Sequence, residues 1–536
     1  MTKIIFILIS LKLDDKIITF KDSLRIFPVK LNELCNIFNI KGKTNDYKIE
    51  YNSLDLFNNS QLLREFKSYA IQDSKCLYKA LLIAQNEYIS KYNVDITSIV
   101  SIPSLAFKIF RLNYLKVNIP ILSKMNDRLI RRSYFGGATD IYNCYGENLH
   151  YYDVNSLYPL AMSKPMPLNL VQNYNSANNI NLDKFFGFLE VNIECPLSVL
   201  RPVLPYRFEG KTIFPKGIFT GVYFSEELKA VLPLGYKILR IHSAKEFDKA
   251  DLFTAYVNEM YHQKMNSTGS QRWISKLLLN SLYGIFGRKQ EIIESVTINK
   301  SDIHKYICTN IIKSVINIDD NKCTLLIIKN IDPQLINELN INMCINIKSF
   351  ETLINSNVGI ASAITSYARI HMIPYKINPN TLYTDTDSIF TTEALPNDLI
   401  GKELGLMKDE LSGLRIKQAY FLGIKQYGYW YLDHDNNRIQ KSVWAGVSRD
   451  TLTFSEIVNL YNKNVLTKTI DSRFFKSLIK LNIIIKSIKI NIRFNPHKQL
   501  VNNNYQPITI NNLKYNNNLI NKLIFYIKNK LLKFLN

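Results

Sequence analysis

The chain has 536 residues, 46% of them hydrophobic and 12% aromatic, which excludes a disordered polypeptide and leaves room for several domains. Its formal net charge of +22 calls for a polyanionic partner: nucleic acid, a membrane surface or an acidic protein. The seven cysteines (Cys35, Cys76, Cys144, Cys195, Cys308, Cys323 and Cys344) show no Cys-x-x-Cys spacing, which argues against a zinc site or disulfide framework and for buried thiols in a reducing compartment.

The apolar opening, Ile4 to Leu11, is too short to cross a membrane. It is followed by Lys-Leu-Asp-Asp-Lys and not by a small-residue cleavage site, so it reads as a strand. No Arg- and Ser-rich import sequence is visible either. Ile17 to Phe20 reads as a second strand, joined to the first across Asp14-Asp15-Lys16. After the Phe27-Pro28 break, Leu31 to Ile37 has helical spacing, as does Arg64 to Ala84. On the latter, Tyr69 and Asp73 share a face; spacing alone favours an ordinary surface contact over a metal-binding Asp with a neighbouring phenol.

Arg131-Arg-Ser-Tyr134-Phe-Gly136-Gly137 combines two guanidiniums, a stacking ring and a glycine pair that lets backbone approach a ligand. It suits single-stranded nucleic acid, or is only a glycine turn. A β-rich run then ends at Asp153, and a helix comes next, because Pro159 is tolerated in a first turn. Glu227 to Gly235 and Asp251 to Lys264 are helical patterns, the second broken by Asn266 to Ser270. A new helix near Gln271 places Lys276, Asn280, Tyr283 and Gly284 at i, i+4, i+7 and i+8. That stripe suits a nucleotide, with Lys on the triphosphate and Tyr on base or sugar, or is a solvated amphipathic face.

Leu382 to Phe390 reads as a hairpin with Asp385 and Asp387 at or beside its turn. Strand geometry would put both carboxylates on one face and Thr386 on the other. Like charges held so close repel unless one is protonated or a cation lies between them, which makes a Mg²⁺ site. Taken alone, Asp-x-Asp is usually a solvated turn. With Asp153 brought to the same place, three acids converge in the geometry for two metals acting on a phosphoryl group. From Lys463 onward, fourteen Lys or Arg stand against one acid, Asp471. There Leu519, Ile520, Leu523, Ile527 and Leu531 recur at near-helical spacing among Lys522, Lys528, Lys530 and Lys533, a surface that tracks duplex phosphates or an amphipathic helix that only packs.

Asp-x-x-Ser-Leu-Tyr-Pro (Asp153 to Pro159), Lys-x-x-x-Asn-Ser-x-Tyr-Gly (Lys276 to Gly284) and Tyr-x-Asp-Thr-Asp-Ser (Tyr383 to Ser388) resemble, in order, the three polymerase motifs of family B DNA polymerases. Tyr-x-Gly-Gly (Tyr134 to Gly137) before them and Lys-x-Tyr (Lys425 and Tyr427) after them are similar to the protein-primed branch, as encoded by linear mitochondrial plasmids of fungi or plants. The resemblance spans roughly residues 15 to 460, and five ordered motifs outweigh the bland reading of each one.

This resemblance implies an α+β right-hand polymerase (palm, fingers and thumb) preceded by a truncated RNase H-like exonuclease domain. The implied divisions are residues 1–110 for the partial exonuclease domain, 111–460 for palm and fingers with insertions, and 461–536 for a basic thumb and C-terminal region. The implied insertions, between Asp153 and Lys276 and over about 289–357, are associated with terminal-protein contact and processivity. Asp153, Asp385 and Asp387 would be catalytic. Two Mg²⁺ ions, with Mn²⁺ as an alternative, would sit on Asp153, Asp387 and the Val154 carbonyl, with Asp385 alongside as an outer ligand. Ser156, Leu157, Tyr158, Lys264, Lys276, Asn280, Tyr283 and Gly284 would bind the nucleotide, Tyr158 excluding a 2′-hydroxyl. Tyr134, Gly136, Gly137, Thr386, Lys425 and Tyr427 would hold DNA.

Implied partners are template-primer DNA, dNTPs and a terminal protein, without a membrane, for a monomer located in mitochondria. Tyr69 and Asp73 match the last exonuclease motif, yet no Asp-x-Glu lies upstream, so proofreading is not expected of this chain. The contrasting reading is a catalytically silent, DNA-binding remnant of an integrated plasmid polymerase. RNA-templated synthesis fits poorly, because reverse transcriptases usually show adjacent acids.

Overall fold

The structure, a computed structural model, describes residues 8–510 except 43–47, 53, 176–179, 209, 289–292, 319, 329–355, 464, 478–481, 495–497 and 502–503. The Leu519–Leu531 pattern and most of the Ile/Asn-rich span lie outside the described residues.

The chain opens with a hairpin of β1 (Leu8–Leu13) and β2 (Lys16–Lys21), turning at Asp14-Asp15. Four helices come next: α1 (Leu31–Ile37), α2 (Ser60–Tyr92), α3 (Ile102–Asn113) and α4 (Lys124–Arg131). The second is longer than the Arg64–Ala84 pattern because it is capped well at both ends. Asn59 Oδ1 accepts from the N–H groups of Gln61 and Leu62, and Asn93 closes the far end in the left-handed region at φ 54°.

Beyond them lie β3 (Thr139–Ile141), β4 (Tyr145–Val154), α5 (Leu157–Met162), β5 (Met166–Tyr174), β6 (Gly187–Cys195), β7 (Tyr206–Phe208), β8 (Lys211–Ile213) and β9 (Lys216–Phe224). Then α6 (Ser225–Val231), β10 (Lys237–Ala250), α7 (Thr254–Asn266) and α8 (Gly269–Ser281) lead to β11 (Ile293–Asn299), α9 (Ile303–Thr309), β12 (Ile311–Asn317) and β13 (Lys322–Ile328). The chain continues through α10 (Val358–Ile377), β14 (Thr381–Asp385), β15 (Ser388–Thr391), β16 (Met407–Asp409), β17 (Ile416–Gly423), β18 (Gln426–Leu432), β19 (Arg438–Trp444) and α11 (Phe454–Lys463). It closes with β20 (Val465–Ser477), β21 (Asn482–Arg493), β22 (Gln499–Val501), β23 (Asn504–Gln506) and β24 (Thr509–Ile510).

The sheet that matters for function is eight-stranded, in the order β19-β18-β17-β4-β15-β14-β3, with β16 also paired to β4. Every pairing in it is antiparallel. A second sheet runs β24-β9-β6-β10-β5, and β11-β13-β12 form a third. One core joins the N-terminal helices, α5, α7, α8 and α10 to Tyr152 and Val154 of β4. A separate core holds Leu149, Tyr383, Phe390, Phe421 and Tyr427 of the eight-stranded sheet. The sheet is thus fixed by packing while the ends of β4, β14 and β15 carry the polar residues.

The Ala/Ile-rich α10 is buried over most of its length and packs against α4, α5 and α6. Of the cysteines, Cys35, Cys76, Cys144, Cys195 and Cys323 are buried, with no disulfide among them. Among the described residues, no helix is long and apolar enough to cross a membrane.

Candidate active site

Antiparallel register brings the key side chains into one row. Thr139 pairs with Asp385, Asp385 with Ser388, Ser388 with Asp153, and Asp153 with Lys408. Directly opposed residues share a face, so this row presents two acids and a lysine side by side. Asp387 reaches the row from the turn: its carbonyl accepts the Val154 N–H at 2.8 Å, which clips the turn to the end of β4.

The hairpin forms as expected, with the acids at its turn; what the structure corrects is their shared strand face. Asp385 is the last residue of β14, and the turn consists of Thr386, at φ 66°, and Asp387. The chain reverses between the two acids, so they do not share a strand face as uninterrupted strand geometry would have it. The three acids do not converge equally either. Asp385 pairs with the Lys425 ammonium at 2.5 Å and accepts from the Thr139 hydroxyl at 3.2 Å. Among the described residues, no group of three His, Cys, Asp or Glu side chains is assembled to hold a metal.

Asp153 and Asp387 carry the electrostatic strain. Burial first, then the charge of Asp387 and of Glu410, pushes the Asp153 carboxyl up to about 7, against the pull of Lys408 and Lys276. Burial also raises Asp387, with the charge of Asp385 adding to it. Two half-buried carboxylates that resist ionising together are a donor set a hard divalent cation would relieve, and Mg²⁺ takes one or two carboxylates plus other oxygens. The residues present therefore fit such an ion.

On the opposite flank, Lys264 of α7 donates to the Ser156 hydroxyl at 3.0 Å. Burial, then repulsion from Lys276, Arg272 and Lys408, lowers the pKa of Lys264. Lys276, Asn280 and Gly284 are exposed, while Leu278 and Leu282 are buried and anchor the helix. The helix ends at Ser281, and Tyr283 starts a single 3₁₀ turn, so Tyr283 and Gly284 fall just beyond the helical stripe expected for them. The Tyr283 ring stacks on Tyr158 with centroids 4.2 Å apart and planes at 12°. Leu157, beside Tyr158, is buried in the core.

The Tyr134–Gly137 loop closes the site from a third side. A Cβ on Gly137 would lie 2.4 Å from Thr386 Cγ2, so only glycine lets the loop touch the acid-bearing turn. The Tyr134 ring lies against Gly287, and Gly136 is exposed. Arg369 of α10 donates to the carbonyls of Phe135 at 3.0 Å and Gly136 at 2.9 Å, and its own charge is met by buried Glu227 at 2.6 Å.

Lys425 is exposed, and its N–H donates to the Tyr383 hydroxyl at 2.8 Å. Tyr427 is buried, its ring 5.2 Å from that of Tyr383 and 5.5 Å from that of Phe390, so the ring itself is core. Tyr69 and Asp73 lie on α2, where the Tyr69 ring sits 5.7 Å from Tyr51. Sequence reasoning missed Lys408, Glu410, Arg272, Arg369 and Glu227. A signal existed only for Arg369, an arginine that follows a run of small and apolar residues in its helix and so requires a buried partner.

An antiparallel sheet thus bears paired acids at one end, with a lysine cluster and a glycine loop beside them. Residues 41–382 match the family described as DNA polymerase type B, organellar and viral, and the chain belongs to that family. It is 32% identical to a probable DNA polymerase of Podospora anserina over 90% of its own length and 43% of the relative's. To a probable DNA polymerase of Neurospora intermedia it is also 32% identical, over 80% of this chain and 48% of that one. It therefore spans less than half the length of these fungal relatives. Its fold is similar to that of phi29 DNA polymerase in complex with primer-template DNA and incoming nucleotides, with a TM-score of 0.68 and 17% identity, covering 91% of this chain and 83% of the other.

Proposed function

We propose that the chain is a DNA-directed DNA polymerase that transfers nucleotides from dNTPs to a primer 3′-hydroxyl, or to a terminal-protein hydroxyl at initiation. The observation that carries this reading is the seating of Asp387 against the end of β4, beside Asp153, where burial and the charge of Asp387 together oppose ionisation of the Asp153 carboxyl. In this reading the eight-stranded sheet is the palm, α7 and α8 are the fingers, and the basic region from 461 is the thumb, while residues 1–110 form part of an exonuclease domain. The phi29 enzyme, captured with primer-template DNA and incoming nucleotides, supplies the analogy for the partners. The organellar description of the family and its fungal relatives support a mitochondrial location, and we take the chain to act as a monomer that replicates plasmid-like DNA.

Asp153, Asp387 and the Val154 carbonyl would hold two Mg²⁺ ions, or Mn²⁺ in their place. When bound, these supply acidification of the 3′-hydroxyl and neutralisation of the leaving pyrophosphate. Lys264 and Lys276 bind the triphosphate; Ser156 positions Lys264. Tyr158, braced by Tyr283, lies against the sugar and excludes a 2′-hydroxyl. The 3′-oxygen forms its bond to the α-phosphorus as the bond to the β-phosphate oxygen breaks, and the hydroxyl proton passes to solvent. Lys425, the Tyr134–Gly137 loop and Thr386 hold the primer and template, with Tyr427 supporting Lys425 from beneath.

The test is primer extension with Mg²⁺ and dNTPs by the wild type, Asp153→Asn and Asp387→Asn. Either substitution is expected to remove activity by several orders of magnitude with DNA binding held within a few-fold. Wild-type-like extension by either variant would sink the assignment. A wild type that binds DNA but never extends a primer would be the catalytically silent remnant.

A further inference from the structure

Lys264, Lys276 and Arg272 repel one another before any anion arrives, and burial already disfavours the charge on Lys264. A like-charge cluster of this kind stays assembled only if neutral contacts hold the helices beneath it. Gln263 and Ser275, each one residue before a lysine of the cluster, make that contact. The Gln263 Oε1 lies 3.3 Å from the Ser275 hydroxyl, which is shared with the Gln271 carbonyl at 2.9 Å. The same Oε1 accepts from the Tyr92 hydroxyl at 3.0 Å.

Tyr92 is the last residue of α2 and belongs to neither helix of the pair. It is 3% exposed, and the low polarity around it strengthens the bond. One turn back, Glu87 accepts from the Ser270 hydroxyl at 3.0 Å, a second tie from α2 to the start of α8. Within the pair, Arg272 donates to the Lys264 carbonyl at 2.9 Å. The end of α2 therefore grips the α7–α8 corner at two points, Gln263 of α7 and Ser270 of α8.

We propose that Tyr92 is a positioning residue for the incoming triphosphate. Its hydroxyl, through Gln263, fixes α7 against α8 so that Lys264 and Lys276 keep a triphosphate-matched spacing against their own repulsion. The N-terminal helix thereby sets nucleotide affinity without touching the nucleotide. This rests on the polymerase reading above.

The experiment compares wild type, Tyr92→Phe and Gln263→Met in the full chain, by steady-state dNTP incorporation and by direct dNTP titration with non-reactive Ca²⁺, monitored through tryptophan fluorescence with Trp273 on α8. Losing one buried neutral hydrogen bond is expected to raise KM and the dNTP dissociation constant about fivefold, with kcat and DNA affinity within twofold. The double variant is expected to be no worse than the worse single one. The penalty shrinks as KCl is raised, because screening relaxes the repulsion. Tyr92→Phe with unchanged KM and dissociation constant overturns the proposal, as does a loss confined to kcat or equal at every salt concentration. A wild type that binds dNTP but does not incorporate it defeats the polymerase reading alone, and the titration still decides the role of Tyr92. A wild type that does neither overturns both.

Discussion

Replacing the acid most central to the chemistry should make the metal-free protein more stable. In the folded chain the Asp153 carboxyl is pushed up to about 7 from the ordinary 3.8, first by burial and then by Asp387. Between those two values the folded protein holds a proton that the unfolded chain has lost. Stability therefore falls as pH rises through the window, and the full penalty stands above pH 7. The difference, at about 1.4 kcal/mol per pH unit, comes to about 4 kcal/mol. Solvent reaching the open side of the carboxyl reduces that to about 2 kcal/mol. Asp153→Asn keeps the shape and removes the charge. In EDTA at pH 8 it is expected to melt on the order of two degrees above wild type, with the gap closing toward pH 4. Adding Mg²⁺ at pH 8 is expected to raise the wild-type melting temperature and leave the variant's nearly unchanged. Calorimetry across the pH range reads all three effects. A variant that melts below wild type at pH 8, or by the same margin at pH 4 and pH 8, would refute the claim that Asp153 is held against its own charge.

Removing the partner of Asp385 with Lys425→Met is expected to weaken use of the primer terminus about tenfold in kcat/KM, while dNTP affinity changes little; gel-based extension at varied primer concentration measures it, and an effect on dNTP KM alone would place Lys425 elsewhere. Tyr158→Val removes the ring stacked on Tyr283 and is expected to narrow the preference for dNTP over rNTP by at least tenfold in competition assays; an unchanged ratio means that another group reads the sugar. Asp73→Ala is expected to leave both extension and the fate of a mismatched 3′ end unchanged in this polypeptide, since the Tyr69 and Asp73 motif stands here without an Asp-x-Glu before it. Degradation of the mismatch that vanishes in the variant would show that Asp73 works with ligands supplied from elsewhere.

Much of this site was legible because its parts are local. A run of β-formers ending in Asp153 with Pro159 placed early in the next helix, the exposed stripe of Lys276 and Asn280, and two acids flanking Thr386 between apolar strands each declare an element through propensity and period. Their order along the chain carried the family. No local pattern contains how these elements meet. Strand register decides that Asp153 opposes both Ser388 and Lys408. The left-handed Thr386 parts two acids that simple alternation puts on one face, and leaves Asp385 to Lys425. Packing of the second core buries Tyr427, although its neighbour Lys425 is exposed. Arg369, Glu227 and Tyr92 gain their roles only from partners far away in the chain, because a buried hydrogen bond or ion pair takes its worth from the low-dielectric surroundings that the folded core creates.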